Sequence, residues 1–177
     1  MLGDSVYALD DSDMQDVVYR LLKENGLTVS FAESCTGGLI SSTFVDIPGV
    51  SDVYKGAVVT YSNESKMKIL GVTQETLEKH GAVSEECVRE MVNGCRKLFN
   101  SDFAIAVSGI AGPSGGSNEK PVGTVCIALG TPTKITSSTH LLRGDRNSIR
   151  KRSMLFSFDI LRRGVLEWLG LRETSKK

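Results

Sequence analysis

Neither sign of charge is in excess in this chain of 177 residues: Lys plus Arg equals Asp plus Glu at 21 each. That removes the global electrostatic case for nucleic acid as a partner. Cysteine is scarce and not arranged for metal. Cys35, Cys87, Cys95 and Cys126 include no C-x-x-C pair, and the two histidines, His80 and His140, lie far from them in sequence, so no zinc site is expected. Reduced thiols of this kind fit a reducing cytoplasm. No apolar run approaches the roughly 20 residues of a membrane span, and the first residues lack a basic start followed by an apolar core, so neither insertion nor export is indicated. There is no internal repeat. What is present is a 40% apolar composition in a length that fits a single domain with one sizeable core.

Charge is unevenly placed within that balance. Asp4, Asp10, Asp11, Asp13 and Asp16 make the start acidic, and Arg143, Arg146, Arg150, Lys151, Arg152, Arg162 and Arg163 make the end basic. Solvated faces account for both runs, although one arginine among them could read a phosphate. Ser12 and Gln15 have capping-box spacing, and Met14, Val17, Val18, Leu21 and Leu22 then follow a helical period until Asn25-Gly26. Residues 1–11 before this helix read as a tail or linker. The period of Thr28 to Phe31 predicts a strand, and a second follows around 53–61. Short helices are predicted over 63–70 and 73–80. Ser84 caps a longer one whose apolar stripe is Val88, Met91, Val92, Cys95, Leu98 and Phe99, with Cys87 on the same buried side. Asp102 to Ser108 reads as a buried strand, two more strands fall around 122–129 and 134–142, and a long final helix reaches Trp168. Helices alternate with strands early and two strands adjoin late, which predicts an α/β fold with a mixed sheet between two helical layers.

The stretch Ala32-Glu33-Ser34-Cys35-Thr36-Gly37-Gly38 puts a hydroxyl, a thiol and two glycines where a strand runs into a helix. Unpaired N–H groups and the positive end of the helix dipole would then face Ser34, able to stabilise an oxyanion or a phosphate. A capped helix start is the plainer alternative. The loop from Ser108 through Gly109 to Ser117 sits at a strand end, where open α/β sheets place ligands, and its glycines permit an anion-binding nest. It matches no Walker, G-x-S-x-G or G-x-G-x-x-G pattern. Asp145 can cap the last helix, and Arg146 can present a planar fork to phosphate oxygens. Taken alone, Lys66 reads as an exposed helix residue. His80 and His140 lack an orienting carboxylate nearby in sequence and read as structural, which leaves a Ser-Lys arrangement open.

Four segments together, AESCTGG, VTYSNESK, SGIAGPSGGSNEKPVGTV and GDR, resemble the CinA C-terminal domain family, which includes nicotinamide mononucleotide deamidase. The resemblance runs from about residue 12 to about residue 168 and implies the corresponding α/β/α fold over 12–177. It implies hydrolysis of the carboxamide of nicotinamide mononucleotide to nicotinic acid mononucleotide and ammonia, in pyridine-nucleotide recycling, without cofactor or metal. On the matching positions Ser34 would be the nucleophile and Lys66 the general base. Backbone donors near Thr36, Gly37 and Gly38, with help from Ser108, would stabilise the oxyanion. Tyr61 would face the pyridinium ring and Arg146 the ribose phosphate, with Gly109 in the adjoining loop. Ser108 stands where many members carry threonine, which keeps the hydroxyl and loses the methyl. The resemblance further implies a homo-oligomer and a small-molecule substrate. The family also occurs fused behind a larger domain, and Leu2 to Tyr7 look like the linker of such fusions. A non-catalytic interaction domain of a competence- or damage-inducible protein is the competing reading.

Overall fold

Every side chain of the strand leading into the Ser34 turn, β1 (Val29–Glu33), is buried. The computed structural model describes residues 12–170, so the tail or linker expected over 1–11 lies outside the described residues. The period of two at β1 separates the faces of the sheet rather than core from water. Its physical reason is position: β1 is second in a five-stranded sheet of order β2-β1-β3-β4-β5, covered by helices on both faces. Its neighbours β2 (Tyr54–Val59) and β3 (Phe103–Gly109) both run parallel to it. The strands β4 (Thr124–Gly130) and β5 (Ile135–Leu141) add antiparallel to β3 and to each other. The result is the expected mixed sheet in a three-layer α/β/α fold.

One layer holds α1 (Met14–Glu24), α2 (Leu39–Val45) and α6 (Arg146–Trp168), which share a core with Phe31, Ile105 and Ile127. Phe31 meets Phe44 of α2 and Phe158 of α6 edge-on at centroid separations of 5.5 and 6.2 Å. The other layer holds α3 (Asn63–Leu70), α4 (Gln74–His80) and α5 (Glu85–Phe99). Here the sheet presents the small residues Ala32, Ala104, Ala106 and Ala128 to Val88, Met91, Val92 and Cys95 of α5. Small side chains let α5 lie close to the strands. Gly94 extends that closeness to the next helix, because a Cβ there would overlap the Leu70 carbonyl at the end of α3.

Cys87 and Cys95 are fully buried, and Ser84 accepts the Cys87 N–H as its cap. The capping box expected at α1 does not form. Asp13 is the N-cap residue, one position too late for it, and the Ser12 hydroxyl accepts from Arg20 Nη2 at 2.9 Å. A single 3₁₀ turn, Val50–Asp52, fills the link before β2.

The chain leaves β1 for β2 on one side and later enters β3 on the other. The carboxyl end of β1 is therefore a topological switch point, where a crevice opens between the two diverging connections. Ser34 is the first residue beyond it.

Candidate active site

Glu33, the last residue of β1, decides what the Ser34 turn can offer. Its carboxylate is fully buried and accepts the N–H groups of Gly38 at 2.9 Å, Ile40 at 3.1 Å and Ser41 at 2.8 Å. The free helix-start donors expected to face Ser34 are thus taken. Leu39 N–H is also occupied, by the Thr36 carbonyl at 3.3 Å, and Gly37 N–H donates to the Ser34 carbonyl at 3.0 Å. Gly37 and Gly38 contribute through positive φ angles of 61° and 93°, which fold the turn without the strain a Cβ would impose. Two donors remain: neither Cys35 nor Thr36 N–H meets an oxygen of a described residue. Both bear on Cys35 Sγ and favour its charged form, although burial dominates and pushes that thiol up to about 12.

Lys66 lies on α3 but not in solvent, contrary to the reading of its segment alone; it is 1% exposed. The tertiary cause is the approach of α3 to α5 at Gly94, which turns this face of the short helix inward. Lys66 Nζ stands 3.0 Å from Ser34 Oγ, 2.8 Å from the Thr60 carbonyl and 3.3 Å from the Tyr61 carbonyl. Burial lowers its pKa from the ordinary lysine value. Ser34 and Lys66, 32 residues apart in sequence, therefore form one buried pair.

Beside the pair lies a cavity of about 300 Å³, walled by Cys35, Tyr61, Gly109, the loop from Ile110 to Gly112, Ser114, Gly115 and Arg146. Arg146 is the sole charged residue in that wall. Asp145 accepts the Ser148 N–H at 2.7 Å and caps α6 as expected, so Arg146 projects from the first turn. Its Nη1 donates to the Gly112 carbonyl at 2.8 Å and its Nη2 to the Tyr61 hydroxyl at 3.1 Å. Tyr61 is 62% exposed at the rim. The glycine-rich loop is pinned at its root, where Ile110 N–H donates to the Thr124 carbonyl and Gly123 N–H to the Ile110 carbonyl.

Of the residues expected to make up the site, Ser34 and Lys66 meet directly, and Tyr61, Gly109 and Arg146 meet around the cavity. Ser108 is buried on β3 opposite Cys126, and none of the described hydrogen bonds joins it to Ser34 or Lys66. Thr36 is buried with its hydroxyl unpartnered among the described residues, Gly37 is exposed, and Gly38 is tied to Glu33. His140 bonds Ser138 at 2.9 Å and packs on Phe156, and His80 faces Glu86 at 3.6 Å, neither of them at the pair. Sequence reasoning missed Glu33 and Arg150, which donates from α6 to the Thr36 carbonyl. A carboxylate directly before a Ser-x-x-Gly helix start was the available signal for the first, and i, i+4 spacing from Arg146 for the second.

Comparison with known proteins gives one answer at three levels. The CinA C-terminal domain family matches residues 11–165. A CinA-like protein from Fervidobacterium nodosum is 70% identical over 169 residues, 96% of this chain and 41% of that protein. One from Thermotoga neapolitana is 52% identical over 93% of this chain and 40% of its own length. The chain thus spans about two fifths of the curated relatives it matches. A solved CinA superfamily protein from Klebsiella pneumoniae superposes with TM-score 0.83 at 34% identity, covering 89% of this chain and 100% of its own. Another, from Escherichia coli, reaches TM-score 0.80 at 29% identity, covering 92% of this chain and 98% of its own. On sequence, family match and fold together, this chain belongs to the CinA C-terminal domain family.

Proposed function

We propose that this domain hydrolyses the carboxamide of nicotinamide mononucleotide to nicotinic acid mononucleotide and ammonia, with Ser34 as nucleophile and Lys66 as base. The observation that carries this reading is the buried contact of 3.0 Å between Ser34 Oγ and Lys66 Nζ beside a cavity with a single cation. A neutral amine has two N–H donors and one lone pair. The Thr60 and Tyr61 carbonyls provide acceptors for the two donors, which leaves the lone pair to face the Ser34 hydroxyl. Burial favours that neutral form, which a lysine base requires.

Ser34 Oγ bonds to the carboxamide carbon as its proton passes to Lys66 Nζ, and the carbonyl oxygen becomes an oxyanion. The Cys35 and Thr36 N–H groups, which meet no oxygen of a described residue, are the donors this reading assigns to it. Collapse breaks the C–N bond, and Lys66 returns the proton to the leaving nitrogen, so ammonia departs and an acyl-serine ester remains. Water then attacks the ester while Lys66 takes one of its protons, and Ser34 recovers that proton as the carboxylic acid is released; the acid gives its remaining proton to the solvent. Cys35 is the rival nucleophile by sequence, but a thiol held up near 12 is almost entirely neutral at physiological pH.

The cavity volume of about 300 Å³ falls at the lower end of small-ligand sites, about 300–1,000 Å³. The fork of Arg146 suits a phosphate monoester, and the Tyr61 ring at the rim suits a cationic pyridinium. Among the described residues no helix is long and apolar enough to cross a membrane, and four buried free thiols support placement in a reducing cytoplasm. Self-association, as the family resemblance implies, belongs to the same reading. Incubation of the pure chain with nicotinamide mononucleotide tests it directly: ammonia and nicotinic acid mononucleotide are expected in equal amounts. Absence of both returns the domain to the interaction role.

A further inference from the structure

Arg150 takes no step in that reaction, yet its guanidinium places two donors on one atom of the nucleophile turn. Nε lies 3.2 Å and Nη2 2.7 Å from the Thr36 carbonyl oxygen, reaching from α6 across 114 residues of sequence. The other end of the same peptide group, the Gly37 N–H, is held by the Ser34 carbonyl at 3.0 Å. A peptide group is planar, so fixing both ends fixes its orientation. The turn needs such a lock. Gly37 and Gly38 adopt positive φ freely, but glycine enters negative φ as readily, so the turn's own torsions do not select one state. Glu33 restrains the turn from Gly38 onward and the Val107 carbonyl restrains Ser34 N–H. Between them the Thr36 carbonyl accepts Leu39 N–H at 3.3 Å, and the shorter contact to the same oxygen is that of Arg150 Nη2 at 2.7 Å.

The intervening peptide groups carry the Cys35 and Thr36 N–H donors. Cys35 forms part of the cavity wall, so these donors belong to the backbone that borders the space a substrate would occupy. We propose that Arg150 is a positioning residue that locks the Thr36–Gly37 peptide group and thereby aims the Cys35 and Thr36 N–H groups at the oxyanion formed when Ser34 attacks. The inference rests on Ser34 being the nucleophile. It separates two arginines one helical turn apart: Arg146 faces the ligand space, and Arg150 faces the backbone that surrounds the reacting atom.

The test measures kcat and KM for nicotinamide mononucleotide in Arg150→Met and Arg150→Lys, with amide NMR spectra of the same proteins. A misaimed oxyanion donor should lower kcat of Arg150→Met by about ten- to a hundredfold and leave KM within about threefold, because ground-state binding does not use the oxyanion donors. Arg150→Lys, a point charge able to reach the same carbonyl, should recover part of the loss. Unchanged kcat in Arg150→Met overturns the inference, as does a rise in KM alone, which would make Arg150 a binding group. If wild-type protein releases no ammonia, the reaction reading fails by itself and the spectra decide the lock. Cys35, Thr36 and Gly37 resonances that move in Arg150→Met uphold it, and unmoved ones overturn it.

Discussion

A serine hydroxyl beside a lysine is useful for proton transfer only if the amine is neutral, and the surroundings of Lys66 act on that condition directly. Burial opposes the ammonium, while the three acceptors at 3.0, 2.8 and 3.3 Å could satisfy it equally well. The pH–rate profile discriminates. The rate should rise with pH along one basic limb whose midpoint lies below the roughly 10.4 of a free lysine, because burial lowers the folded value. Lys66→Arg retains a cation that cannot deprotonate in the accessible range, so kcat should fall by about 10²–10⁴-fold, the contribution of a general base. A flat profile, or near-normal turnover in Lys66→Arg, removes lysine from the base role. Ser34→Ala should lower kcat by about 10⁴-fold or more and leave nucleotide binding largely intact. Cys35→Ala should stay active, and the opposite pair of results would move the nucleophile to the thiol.

At the scale of elements, position comes from packing that no single segment records. Lys66 is one helical turn before Leu70, whose carbonyl rests on Gly94 of α5. Gly94→Ala should gain about 1 kcal/mol of helix propensity, but the new methyl overlaps backbone, which cannot swing aside as a side chain can. A net loss of about 1–3 kcal/mol is expected from such overpacking, read as a lower denaturant midpoint, with a fall in kcat as Lys66 is pushed away from Ser34. Unchanged or raised stability would show that α3 does not depend on this contact.

The same distinction explains what could be read beforehand. The α5 stripe from Val88 to Cys95, the Ser84 and Asp145 caps and the buried strand β3 were legible because each depends on residues near one another in sequence. Leu98, expected in the same stripe, is instead 52% exposed at the end of the helix, where the sheet no longer covers it. The burial of Lys66, the three N–H groups gathered by Glu33 and the reach of Arg150 were not legible, since each needs two elements brought together. Donor counting went wrong at the α2 start for that reason. Its orphan N–H groups were inferred correctly, but the acceptor waiting for them was hidden in the preceding strand.

Across the whole molecule, the candidate site gathers at the carboxyl ends of the three parallel strands. Ser34 follows β1, Thr60 and Tyr61 follow β2, Gly109 ends β3, and the start of α6 closes the crevice from the far end of the chain. Arg146 spans this gathering, bonded to the Gly112 carbonyl on one side and the Tyr61 hydroxyl on the other. Both acceptors are neutral, so a phosphate dianion entering the cavity can displace them as partners with gain of charge pairing. Such a contact forms before chemistry and persists through it, which assigns its effect to KM. Arg146→Ala should raise KM for nicotinamide mononucleotide by about ten- to a hundredfold, the equivalent of a lost charge-assisted bond of about 1.5–3 kcal/mol, with a much smaller change in kcat. Steady-state kinetics with the nucleotide and with nicotinamide riboside, which lacks the phosphate, provide the control: removing the arginine should matter little once the phosphate is gone. An equal loss with both substrates would mean that Arg146 serves to hold Tyr61 and the glycine-rich loop together, and that the phosphate is bound elsewhere in the crevice.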